Sequence, residues 1–157
     1  MGRFYTASFS AVSVSAAVDV FEILAASAKP FILHEIALAQ SSDYGDAAAE
    51  GLSILIKKAT GSYTSGSGGS TATLRPHSTN DAAAGPTPET NNTTQASAGS
   101  GALITMRAEA FNVQAGYQYL PTPEQRMLFL PTEALVVSIT APADAITLSG
   151  SVVIEEL

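Results

Sequence analysis

The sequence predicts an all-β chain: a single antiparallel β-sandwich or jelly roll of about eight strands, with a long Gly/Ser/Thr-rich insertion between strands four and five. Two observations lead there. Short runs rich in β-branched and aromatic residues alternate apolar with polar positions, and Gly, Pro, Ser or Asp bounds each run. Helical signal is thin: Asp43–Glu50 offers one turn with Asp46 as its cap, and this stretch is read as a loop between strands three and four.

The runs follow in order. In the first, Phe4, Thr6, Ser8, Ser10, Val12 and Val14 share one face of an extended segment, and Tyr5, Ala7, Phe9 and Ala11 share the other. Residues 18–24 (VDVFEIL) form a second run, and Ala25–Pro30 has turn character. Residues 31–38 form a third. In residues 51–57, Leu52, Ile54 and Ile56 alternate against Ser53, Leu55 and Lys57. After the insertion come runs over 102–113, 125–130, 135–140 and 145–155.

The insertion spans residues 60–100 and contains TSGSGGST at 64–71. Apart from Tyr63, Leu74, Arg75, His77, Asp81, Glu89 and Gln95, it consists of Ser, Thr, Gly, Ala, Pro and Asn. Such a segment builds no core of its own. It is nevertheless not expected to separate two domains. The 59 residues before it and the 57 after it are each near the lower limit for folding alone, with no cysteine to help. Residues 1–157 are therefore expected to form one β-sandwich domain, with 60–100 as a long polar loop or arm. Loop closure grows only logarithmically with length, so one fold tolerates the excursion.

Charge narrows the function. Fourteen acidic against seven basic residues give a net charge of −7, and only Lys57 and Lys58 are adjacent cations. Without a basic patch, neither nucleic acid nor an anionic membrane surface is an expected partner. The N-terminal stretch alternates apolar residues with Ser and Thr, unlike the continuous apolar region of a secretory signal. No stretch of 18 consecutive apolar residues exists to form a transmembrane helix. The expectation is a protein made in the cytoplasm without an export signal. Charged residues total only 13%, against about 25% in typical chains, which suits a protein that buries surface against partners.

Catalytic chemistry finds no support in the motifs. Cysteine is absent, which excludes disulfides, thiolate metal sites and a Cys nucleophile. His34 and His77 are the only histidines. His34 and Glu35 are adjacent in a strand and point to opposite faces, so His34 is read as a sheet residue with a hydrogen-bond partner and His77 as a loop residue. Gly66-Ser67-Gly68 lacks both the strand-to-helix setting of a nucleophile elbow and the Gly-Lys-Ser/Thr of a phosphate loop. Asp43, Asp46 and Glu50 lack the ligand spacing of an EF-hand and are read as solvated loop acids. Glu22, Glu35, Glu109 and the Glu155–Glu156 pair show no spacing that selects an acid/base pair. No catalytic residue, metal or cofactor is expected.

Interaction residues are the remaining candidates. Tyr63 and Leu74 are the only bulky apolar residues of the insertion, and Arg75 follows Leu74. Tyr117, Tyr119 and Arg126 flank a Pro-rich stretch, YQYLPTPEQR. Two readings of it stand side by side: a ligand-facing or adhesive loop, since Tyr and Arg are enriched at interfaces, or a Pro-stiffened connection whose tyrosines cover the end of the core.

The segments MGRFYTASFSAVSVSAAVDVFEI, HEIALAQSSDYGDAAAE, ATGSYTSGSGGSTATLRPHSTNDAAAG, AFNVQAGYQYLPTPEQR and LSGSVVIEEL span most of the chain. Their style resembles small jelly-roll proteins of tailed-phage and prophage structural modules, of the capsid-decoration or cement type. The resemblance implies a virion component, a homo-oligomer with a trimer favoured, and the major capsid protein or another virion protein as partner. It carries over no functional residues. Under it, the 60–100 segment lies across a neighbouring subunit or the shell and orders on contact. A β-sandwich module recognising a carbohydrate or receptor, with Tyr117, Tyr119 and Arg126 in its site, is the alternative, and an enzyme stands third.

Overall fold

The computed structural model describes residues 2–41 and 50–157. Strands β1 (Arg3–Val14), β2 (Val18–Leu24), β3 (Phe31–Gln40) and β4 (Gly51–Thr60) lead into the 60–100 segment, which holds β5 (Ser70–Thr71), β6 (Arg75–Pro76) and β7 (Thr87–Asn92). Then follow β8 (Ala102–Asn112), β9 (Tyr117–Tyr119), β10 (Leu128–Phe129), β11 (Ala134–Ile139) and β12 (Ile146–Glu156). The expected run 125–130 contracts to β10: Gln125 ends the 3-10 turn Pro123–Gln125, and the ladder to β3 holds only Leu128 and Phe129. Among the described residues there is no α-helix. Asp43 and Asp46 lie outside the described residues.

All pairings are antiparallel, and they nest. β1 pairs with β12, β2 with β11, β3 with β9 and β10, and β4 with β8. Successive pairs fall alternately into two sheets. Sheet A has the order β10-β3-β12-β1-β6, with β9 also beside β3, and sheet B has β5-β7-β2-β11-β4-β8. The molecule is thus two antiparallel sheets, not a closed barrel. Period-2 alternation sends Tyr5, Leu33, Val152 and Ile154 of sheet A and Phe21, Ile23, Ile54 and Val137 of sheet B into one apolar core. Phe31 and Phe129 stack there, with centroids 4.8 Å apart.

One expected face assignment is corrected. Strict alternation places Val12 and Val14 with Phe4, yet Val14 is buried with Tyr5 and Ala7. The cause is a bulge: Phe9 faces Gly150 and Val12 faces Leu148, so β1 carries one extra residue. Ala11 absorbs it in the left-handed region, at φ 53°. The bulge reverses the phase of everything beyond it. An L-residue with a Cβ is strained there, so Ala11→Gly should raise stability by about 0.5–1 kcal/mol in a urea titration.

Candidate interaction surfaces

The outer face of sheet B is buried by the chain itself over β2 and β11. Ala134 and Val136 of β11 point outward and pack with Ala59, Ala96, Tyr63 and Leu103. Sharing that face are two carboxylates of β2, Asp19 at 0% and Glu22 at 2% exposure. Glu22 accepts hydrogen bonds from Tyr63 Oη (2.9 Å), Ser65 Oγ (2.6 Å), the Gly66 amide (2.9 Å) and Asn92 Nδ2 (3.1 Å). Asp19 accepts from Ser138 Oγ (2.5 Å), the Ala96 amide (2.6 Å) and Gln95 Nε2 (3.2 Å). A third buried carboxylate, Glu156 on β12, accepts from the Gly85 amide (2.6 Å) and from Lys29 Nζ (2.8 Å). Each of the three therefore holds a main-chain N–H of the 60–100 segment.

The segment is a strap with two limbs. Thr64 exchanges backbone hydrogen bonds with Ser97, and Ser67 with Thr94. Its tip crosses from sheet B to sheet A: β7 pairs with β2, β6 pairs with β1, and Tyr5 Oη donates to the Ala82 carbonyl. The glycines of TSGSGGST permit close approach. A Cβ on Gly66 would lie 2.8 Å from the Thr94 carbonyl oxygen, and one on Gly69 would lie 2.2 Å from that of Thr90. Tight packing, not flexibility, accounts for these two glycines.

This arrangement places three of the sequence-nominated residues. Tyr63 is half-buried and spends its hydroxyl on Glu22; burial, then that carboxylate, raise its pKa. Leu74 is a core residue, 5% exposed, and offers no surface contact. Arg75 is exposed on β6, opposite Thr6 of β1. Both sheets of the same chain contact the segment, sheet B through β2 and sheet A through β1 and Glu156.

The second nominated group sits on the opposite side, where β8 and β9 close the gap between the sheets. Tyr119 is buried beneath the Arg107 guanidinium, 5.1 Å from its ring centroid. Tyr117 packs on Phe111 and donates to Glu109 Oε2 at 2.9 Å. Arg107 Nε donates to Glu109 Oε1 at 2.7 Å. Arg126 is exposed and is not the arginine the tyrosines meet. Tyr119 thus belongs to the core and Tyr117 packs partly buried against it, as in the second of the two readings. The Arg107 hydrogen bond holds the Glu109 carboxyl below its ordinary value, while burial and then Glu109 raise the Tyr117 phenol.

The outer face of sheet A differs from that of sheet B. Thr6 and Ser8 of β1, Ala37 and Ala39 of β3, and Ser149, Ser151 and Val153 of β12 all remain accessible. At one end of this face Phe4 lies edge-on to His34, with centroids 4.9 Å apart, and stacks on His77 at 6.1 Å. His34 is the expected sheet histidine with a partner, Glu155 Oε2 at 2.8 Å, and His77 Nε2 is hydrogen-bonded to Thr6 Oγ1 at 2.7 Å. Glu50, the described member of the loop acids, accepts the Ala143 amide at 2.7 Å. Among the described residues no three His, Asp or Glu side chains group to hold a metal, and no helix is long and apolar enough to cross a membrane. No family model, curated protein or solved structure matches the chain.

Two measurements check these contacts. Glu22→Ala strips the acceptor from four donors and should cost about 2–4 kcal/mol in denaturant unfolding. The pH dependence carries a sign. Glu109 has a lowered folded value, so its contribution is present above 4.5 and is lost as pH falls through that folded value. Asp19 is raised above 3.8 by burial, so its titration adds stability as pH falls from its folded value toward 3.8. Glu109→Gln should therefore flatten the acid limb of a melting-temperature profile below pH 4.5.

Proposed function

We propose that the chain is a jelly-roll structural protein of a virion, made in the host cytoplasm, that binds and stabilises a capsid shell through its surfaces and without catalysis. The nested pairing supports the jelly-roll reading: a long antiparallel hairpin, wound so that first pairs with last and successive pairs alternate sheets. The observation that carries the functional reading is the asymmetry of the two sheets. The strap covers sheet B over β2 and β11 and leaves the β8 edge exposed, whereas sheet A presents an accessible face of small and apolar side chains across the middle of β1, β12 and β3. The Ser, Ala and Val side chains in the middle of this face cost little to desolvate and little side-chain entropy to order, which suits docking on a repetitive shell. The resemblance of the sequence to decoration proteins points to the same partner. A trimer is the assembly we propose, placing three such faces on one local symmetry axis.

Co-sedimentation with shells lacking the protein tests this, with Ala37→Glu as the probe variant. Ala37 lies opposite Ser151 in the middle of the accessible face. The wild type should pellet with shells and run as a trimer by light scattering. Ala37→Glu should stay in the supernatant with an unchanged melting temperature. A wild type that never pellets, or a variant that pellets equally well, contradicts the proposal.

A further inference from the structure

A separate concavity borders the accessible face of sheet A at Ser8. It is a groove of about 470 Å³ between the distal half of β1 with its turn into β2, the 68–72 stretch of the strap and residues 90–93. That volume falls in the range of roughly 300–1,000 Å³ usual for small-molecule sites. Its chemistry is uniform. No lining side chain carries a charge, in a chain of net charge −7. The polar groups are Ser and Thr hydroxyls and the amide of Asn91, and the apolar ones include Phe9, Val14 and Val18.

Three further observations mark this groove. Asn91 is 8% exposed, and its Oδ1 has no hydrogen-bond partner. A buried acceptor left unpaired costs about 1–3 kcal/mol, a cost that a ligand hydroxyl removes. The Asn91 backbone is left-handed, at φ 57°, and so is that of Ala11, between the lining residues Ser10 and Val12. Non-glycine residues held in that region concentrate at ligand sites. The third is the ring of Phe9, which is half-buried, braced at 5.2 Å against Phe21, and faces the groove as the only aromatic surface lining it.

We infer that this groove binds a neutral hydroxylated ligand, a saccharide unit. Hydroxyls donate and accept, so a wall of Ser and Thr matches a sugar's hydroxyls without the desolvation cost of a charge. Phe9 offers an apolar platform for the C–H face of the ring. The terminal torsion of Asn91 is soft, so its amide turns toward an incoming hydroxyl. The site is independent of the virion reading: a decoration protein and a free-standing module would both possess it.

An NMR titration of the full ¹⁵N-labelled chain tests the inference, with maltose, lactose and N,N′-diacetylchitobiose as neutral probes and glucuronate as the anionic control. At least one neutral disaccharide should give saturable shifts in the amides of 13–18 and 68–72 and in the Asn91 side-chain amide, and glucuronate should not. Thr71→Trp fills the groove from an exposed position and should weaken binding at least about tenfold with the melting temperature unchanged. Ser13→Trp, also exposed, fills it from the other wall and serves if Thr71→Trp is poorly folded. Absence of saturable shifts with all three neutral probes overturns the inference. So does binding that survives the filled groove, or glucuronate binding as tightly as the neutral sugars.

Discussion

Three buried carboxylates hold this molecule's shape: Asp19 and Glu22 on β2, and Glu156 on β12. Taking a carboxylate out of water costs several kcal/mol unless its oxygens are hydrogen-bonded. Each of these three takes a main-chain N–H from the strap, at Ala96, Gly66 and Gly85. Hydrogen bonds to charged groups contribute about 1.5–3 kcal/mol each, so the acids and the strap depend on one another. Without the strap, sheet B exposes Ala134 and Val136 and buries nothing over its acids. Without the acids, the strap would keep only its ladders to β1 and β2 and the packing of Leu74, Tyr63 and Ala96.

This dependence divides the two sheets into different roles. The strap covers the outer face of sheet B over β2 and β11 and then crosses to β1, joining the sheets along one side of the core. Tyr117, Tyr119, Arg107 and Glu109 close the other side. Among the surfaces that stay accessible are the outer face of sheet A, the neutral groove beside the β1 bulge and the β8 edge of sheet B, where Ile104 and Met106 are exposed. Both candidate contact sites therefore follow from where the chain does not cover itself.

Much of the architecture was legible in the residues. Alternation located β1, β4, β8 and β12, because half-buried strands have period 2. The bulge at Ala11 was not legible, since one extra residue leaves the composition of the run unchanged. The docking of the strap was not legible in composition: Gly, Ser and Thr signal flexibility, whereas Gly66 and Gly69 lie where a Cβ would meet backbone. A signal for its docking was nevertheless present. VDVFEIL sets two acids in an otherwise unbroken apolar β-run, and ALVVSI barely alternates, as expected of strands buried on both faces. The pair Tyr117 and Tyr119 was found by residue type, but its partners Arg107 and Glu109 come from another strand, and nothing in the local sequence links them.

Amide hydrogen exchange of the free protein at Gly66, Gly85 and Ala96 tests the central claim most directly. All three lie in a segment poor in apolar residues, where an unattached chain exchanges at the rate of a random coil. Bonding to buried carboxylates predicts strong protection at these three amides, in the isolated chain and with no partner present. Random-coil exchange at all three, with β1 and β12 still protected, would contradict the account.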